Sequence, residues 1–452
     1  MKGQLPPLLR VTPPGPRSRK LAARLAAVEC PSFEARRGAR ARQSGVPQAP
    51  IAYASAEGAN VIDADGNRYV DLVAGFGALP LGHRAPEVDR ALREQGSRLG
   101  LALGDVYASE VKVSLCETLA KLLPEKGARV LLGLSGADAV TAALKSAVLA
   151  TGKPGVVAFQ GGYHGLSYAP LAACGYSPQF RLPFEAQLGH HVSFAPYPAT
   201  LPALEASLEA VARALRGGDV GAVLVEPILG RGGSVVPPDA FLPALRRACD
   251  EAGALLVVDE IWTGLGRTGA WLASAASDVV ADVVCIGKGL GNGLPISACI
   301  GRADVMRAWG AHGGSAIHTA THFGSPLACA AATATLAAIG KRRLVQRAAR
   351  VGARWREELA LRTRGLGVRE VRGRGLMVGI AVDGGAGRAL ELTRALLARG
   401  YLVLTGGVAG DVLTLTPPLI VEEALLAGFT RALVDVLDPS DRSGPGATAR
   451  TR

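Results

Sequence analysis

Two short apolar runs, residues 255–258 and Val283–Ile286, have the length and β-branched content of buried parallel strands. The first ends at Asp259-Glu260, the second at Gly287-Lys288, and each leads into a glycine-rich turn. Ligands of open α/β sheets sit beyond the carboxyl ends of the strands. The pattern therefore presents one acid and one lysine at the same sheet edge, about thirty residues apart. An aldehyde cofactor held as a lysine imine needs that pair. The lysine forms the Schiff base, and the acid keeps a pyridine nitrogen protonated so that the ring can accept electrons.

Other strand ends carry matching chemistry. Residues 130–134 read as a strand running into Ser135-Gly136-Ala137-Asp138-Ala139 and an alanine-rich helix to residue 150. Free N–H groups and the positive end of a helix dipole there suit a phosphate dianion. Residues 156–160 form a strand that stops at Gly161-Gly162-Tyr163-His164-Gly165, and residues 222–225 one that stops at Glu226-Pro227. Upstream, Asp65-Gly66 reads as a two-residue hairpin turn. Phe76 follows it in a glycine-rich loop, as a pocket wall or as core packing.

Taken together, Asp259-Glu260-Ile261, Thr263-Gly264, Gly266-Arg267-Thr268-Gly269, Lys288-Gly289-Leu290-Gly291 and Gly293-Leu294-Pro295 resemble the class III aminotransferases, pyridoxal-phosphate enzymes of fold type I. The resemblance covers residues of about 50–437. It implies an α/β fold with a large, doubly wound, mostly parallel seven-stranded sheet domain. A smaller α+β domain would come from both chain ends. Boundaries follow: a basic arm over 1–48, the first part of the small domain over 49–100, the cofactor domain over 101–335, the rest of the small domain over 336–437, and a disordered tail over 438–452. The implied reaction moves an amino group from an amine or amino acid to a keto acid or aldehyde, through a Lys288 imine and a pyridoxamine phosphate form. Lys288 and Asp259 would be catalytic. Ser135, Gly136 and Ala137 would hold the phosphate of pyridoxal 5'-phosphate. Tyr163 and Ile261 would lie on opposite faces of its ring, with His164 and Glu226 close by. The family segment matched by residues 318–336 places Thr321 at the phosphate of the partner subunit, which implies a homodimer.

Three departures concern the substrate. The family often has Gln three residues after the pyridine-side acid, where this chain has Trp262. Ornithine- and acetylornithine-type members carry an arginine before Pro-Pro-Leu that grips an α-carboxylate, where this chain has Thr414. They also carry a glutamate that masks that arginine, where this chain has Arg231. Arg231 either binds a carboxylate itself or is a solvated loop residue.

Composition narrows the remaining classes. A chain of 452 residues fits two packed domains. Residues 1–48 hold ten Lys or Arg against two Glu, so +8 of the net +12 lies in that arm. Without interleaved aromatics, the arm reads as a solvated or docking segment and not as a nucleic-acid site. Residues 1–18 are proline-rich and expected to be mobile, with Ser18 capping a helix over 19–28. No apolar run reaches membrane-spanning length, and no secretory start is visible. Seven scattered cysteines without a C-x-x-C pair read as reduced core residues of a cytoplasmic protein, with no metal site. Toward the end, residues 371–382 and 401–407 each read as one strand. A decarboxylase, epimerase or aminomutase would keep the same Asp259, Lys288 and Thr321. The Gly-Arg-Thr-Gly run speaks against the semialdehyde aminomutases. A non-catalytic scaffold would have lost the lysine, the acid or the phosphate cup, and all three are present.

Overall fold

The computed structural model describes residues 3–311 and 314–438. Its centre is a seven-stranded sheet in the order Arg129–Gly133, Ser297–Gly301, Val283–Ile286, Leu255–Asp259, Val220–Val225, Gly155–Phe159, Val192–Ala195. Only Ser297–Gly301 runs antiparallel to its neighbours. The strands Val220–Val225 and Val283–Ile286 are buried at every position, because helices cover both faces of the sheet. Successive side chains alternate between the two faces. Val257, Val283 and Cys285 pack with Ala139, Val140 and Ala143 of the helix Gly136–Thr151. Val258, Val284 and Ile286 pack with Phe241, Leu245 and Ala331 on the other side.

Leu255–Asp259 pairs in parallel with Val283–Ile286, with Asp259 opposite Cys285. The acid and the lysine thus emerge from adjacent strands at one edge. Just before the second strand, buried Asp282 accepts hydrogen bonds from Arg246 (2.7 Å), Arg302 (2.8 Å) and the Leu256 N–H (2.7 Å). This charge network pins the start of the strand that delivers Lys288. Among the described residues, no helix is long and apolar enough to cross a membrane.

Two smaller sheets flank the large one. Tyr53–Glu57, Asn60–Asp63 and Arg68–Asp71 form an antiparallel ladder, and Tyr401–Leu402 joins its edge in parallel. Val368–Arg374, Met377–Val382, Val412–Leu415 and Leu404–Gly406 form the other. Two single strands expected from the sequence are therefore divided. Residues 371–382 contain a hairpin, in which Arg374 faces Met377. Residues 401–407 are shared between two sheets, with the break at Val403.

The amino-terminal arm corrects three further expectations. Residues 3–18 are docked along the first small sheet. The backbone of Leu8 exchanges hydrogen bonds with Arg68 at 3.0 and 2.8 Å. The side chains of Asn60 and Asn67 accept from the Leu5 and Arg10 N–H groups, both within 2.8 Å. The first helix is Pro16–Ala26, and Ser18 lies inside it without capping it. Its end is capped from a distance: Asp65 accepts from the N–H groups of Arg17 (2.7 Å) and Ser18 (2.9 Å). Asp65 belongs to a three-residue turn in place of the expected two-residue one, because Asp63 pairs with Asn67 across Ala64, Asp65 and Gly66. All seven cysteines are free, and five are buried, but Cys116 is half-buried and Cys30 is exposed, not in the core. The tail expected over 438–452 lies, beyond Asp438, outside the described residues.

Candidate active site

The carboxyl edge of the large sheet borders a cavity of about 590 Å³ lined by Lys288, Tyr163, Arg231, Trp262, Phe76 and Thr414, among others. Lys288 follows its strand in a left-handed backbone conformation, φ +37°. A lysine costs energy in that region, and such conformations concentrate at functional sites. Its amine lies 4.3 Å from the centre of the Trp262 ring. Burial lowers the Lys288 pKa from its ordinary 10.5 to about 8, although the Asp259 and Glu226 charges pull it up.

Asp259 is buried. One oxygen meets His164 Nδ1 at 2.7 Å, and the other accepts the Ile261 N–H at 3.1 Å. Burial on its own favours a neutral imidazole in His164. The hydrogen bond and charge of Asp259 outweigh that and raise its pKa overall. His164 Nε2 is also buried and has no hydrogen-bond partner among the described residues. The family resemblance puts His164 only close to the cofactor ring, yet it is the partner that holds the central acid. A tyrosine-histidine pair at a strand end carries no local sign of an aspartate 95 residues away.

Glu226 is held by backbone. Its two oxygens accept from the N–H groups of Tyr163 (2.8 Å) and Gly230 (2.9 Å). Burial raises its pKa to about 7, with the Asp259 charge adding and His164 opposing. Glu226 thereby fixes the turn that carries Tyr163 and the loop that carries Arg231. The Arg231 guanidinium stacks over Tyr163 at 4.6 Å, Tyr176 at 5.0 Å and Phe180 at 5.6 Å. It is half-buried against these rings, and among the described residues it pairs with no acid.

At the adjoining strand end, Ser135 caps the helix Gly136–Thr151 through a reciprocal box with Asp138. The N–H groups of Gly136 and Ala137 then point beyond the helix with no acceptor among the described residues. A side chain at Gly136 would come within 2.7 Å of Ile261 Cδ1, so glycine lets the sheet edge and the helix end meet around one small space. Phe76 is half exposed and meets Trp262 edge-on at 6.3 Å, so it is cavity wall and not core. Trp262 turns its ring face to Lys288, while its indole N–H lies on the Gly77 side, buried and without a partner among the described residues. Thr414 lines the cavity, with its buried hydroxyl also unpartnered among the described residues. Thr321 is exposed and does not line this cavity.

The donor set fits pyridoxal phosphate: a buried carboxylate for a pyridinium, an amine of lowered pKa, and a glycine cradle with two free N–H groups for a phosphate. The class-III aminotransferase family model matches residues 41–437. The acetylornithine aminotransferase of Methanopyrus kandleri is 39% identical over 396 residues, which is 86% of this chain and 95% of that protein. Its counterpart in Mycobacterium tuberculosis is 40% identical over 392 residues, 86% and 92% of the two chains. Among solved structures, the Toxoplasma gondii ornithine aminotransferase superposes with a TM-score of 0.79 at 30% identity, covering 92% of this chain and 97% of its own. An amine transaminase from an uncultivated Pseudomonas species, solved with pyridoxal phosphate bound, gives 0.79 at 29% identity, covering 85% and 94%. The chain belongs to the class III aminotransferases. It is a pyridoxal-phosphate-dependent enzyme of fold type I that transfers amino groups.

Sequence reading missed one group of cavity residues. Arg36, Arg40 and Gln43 line it from the helix Ser32–Ser44, in the arm read as solvated or docking. Their spacing of four and three residues puts them on one helix face, which was the available signal.

The lowered lysine pKa has a measurable consequence. A folded-state value near 8 against an ordinary 10.5 means that the folded chain binds fewer protons between them, so this group's contribution to stability rises with pH across that window. In cofactor-free protein, the rate of pyridoxal phosphate capture should rise through an inflection near pH 8. An inflection near 10.5 would show that Lys288 is not desolvated.

Proposed function

We propose that Lys288, Asp259 and the residues around them perform the transfer, and that Arg231 selects a substrate carboxylate. Ser135 and the N–H groups of Gly136 and Ala137 would hold the phosphate. Ile261 and Tyr163 would flank the ring, and Asp259 would face its nitrogen. The bound cofactor supplies the electron sink that lets a donor C–H bond break. Lys288 Nζ would take the proton from the donor carbon and hold it for redelivery on the same face of the bound substrate. Its lowered pKa suits both halves of that task. Asp259 keeps a proton on the ring nitrogen, and His164 and the Ile261 N–H keep the carboxylate in place. Glu226 holds Tyr163 and the Arg231 loop in register.

The observation that carries the specificity reading is the Arg231 guanidinium, stacked on three aromatic rings and facing the cavity. Stacking fixes the plane of the fork and leaves its edge free for a carboxylate. Thr414 offers only a hydroxyl where ornithine-type relatives offer an arginine. The favoured donor would accordingly be an amine whose reacting carbon bears no carboxylate, or a small amino acid whose carboxylate meets Arg231. Arg231→Ala should raise the Michaelis constant for a carboxylate-bearing partner about tenfold or more, as loss of a charged hydrogen bond of about 1.5–3 kcal/mol would. A carboxylate-free amine should be nearly unaffected. Equal effects on both would reduce Arg231 to a loop support.

The working unit in this reading is a cytoplasmic homodimer in which Thr321 completes the phosphate site of the partner subunit. Its exposure outside its own cavity supports this, as do the exposed Leu101, Leu103, Val106 and Tyr107, an apolar patch of the kind that marks an interface. Mixed and exchanged Lys288→Ala and Thr321→Ala chains should regain part of the activity, because one site of each heterodimer then carries neither lesion. No recovery would place Thr321 within its own subunit's chemistry or outside the site.

A further inference from the structure

The amino-terminal arm carries most of the chain's excess positive charge, and one of its helices forms a wall of the active-site cavity. The helix Ser32–Ser44 lies against Gly385–Leu397. A side chain at Gly387 would come within 2.6 Å of the Gln43 carbonyl oxygen, so the two helices touch at backbone distance. Beyond the helix, the Arg394 guanidinium donates to the Ala49 carbonyl at 3.0 Å. The helix is therefore fixed over the cavity, with Arg36, Arg40 and Gln43 lining it.

The charges of this helix divide by face. Arg37 pairs with Glu34 at 2.8 Å, away from the cavity. Among the described residues, Arg36, Arg40 and Arg231 have no carboxylate partner, and no acid lines the cavity. Burial, then the neighbouring Arg36 and Arg231 charges, lower the Arg40 pKa from its ordinary value. Three guanidinium groups thus line one cavity together with the Lys288 amine, Arg40 partly desolvated and Arg36 exposed. Such an arrangement opposes itself until an anion enters. Arg231 alone accounts for one carboxylate. The pair on the helix is surplus to that need.

We propose that Arg36 and Arg40 form a second anion site, which binds the distal carboxylate of a dicarboxylic substrate while Arg231 holds the first. This rests on the carboxylate role of Arg231 given above and extends it to the substrate class: a keto or amino acid with a second carboxylate at the far end of its chain. The amino-terminal helix is then a specificity element of the site.

Binding of unreactive acids to the holoenzyme, followed by titration calorimetry, tests this. Glutarate presents two carboxylates and butyrate one, on chains of similar length. The parent enzyme should bind glutarate at least tenfold more tightly than butyrate. Arg36→Gln and Arg40→Gln should each remove most of that preference while leaving butyrate affinity and the cofactor absorbance unchanged. Arg40→Lys should keep part of it. Arg36 is exposed, so its replacement disturbs no packing, and Arg36→Glu should make glutarate the weaker ligand. Arg231→Ala should weaken both acids. Equal binding of the two acids by the parent, or a glutarate preference that survives both glutamine variants, overturns the second site. Butyrate affinity that survives Arg231→Ala instead overturns the first-carboxylate role, whatever the helix variants show.

Discussion

A carboxylate buried at the end of a parallel strand is the constraint on which the site depends. Asp259 has left water, and its oxygens have a histidine and one backbone N–H as partners. An uncompensated buried charge is costly, and several elements at this edge bring groups that compensate it. The neighbouring strand brings a cation in Lys288. The preceding turn brings His164, whose raised pKa is the counterpart of the same interaction. The helix Gly136–Thr151 brings its positive end to the same edge. A cofactor with a pyridinium at one end and a phosphate at the other would meet complementary groups at both.

A second carboxylate, Glu226, works through backbone. It ties the Tyr163 turn to the Gly230 turn, and the latter sets Arg231 on its aromatic stack. The Tyr163 turn and the Arg231 loop are thereby linked through one buried acid. Its pKa near 7 arises chiefly from burial, with Asp259 adding. The site is thus a set of coupled charges in a low-dielectric edge, where moving one group alters the others.

How much of this the sequence showed depends on how local each signal was. The placement of Asp259, Lys288 and the Ser135-Gly136-Ala137 turn at strand ends was legible because a short apolar strand followed by small residues is a local pattern. The large sheet followed from the same runs. What was not legible came from distant partners. The proline-rich start looks mobile by composition, yet Asn60 and Asn67 hold its backbone from more than fifty residues away. The arm helix looks solvated, yet it packs against a helix that begins at Gly385. Residues 371–382 look like one strand because both arms of the hairpin are rich in valine and glycine alike, and the turn at Arg374–Met377 has no asparagine or proline to mark it. The choice between wall and core at Phe76, and between stacked and solvated at Arg231, turned on tertiary neighbours that no local pattern encodes.

The central claim is that the two adjacent strands present Asp259 and Lys288 as one cofactor site. Its most direct test is chemical. The holoenzyme is reduced with borohydride, digested, and its peptides are mapped by mass spectrometry. The phosphopyridoxyl label should sit on Lys288 and disappear in Lys288→Ala. A label on Lys145, within the helix Gly136–Thr151, or on any other lysine, would contradict the account.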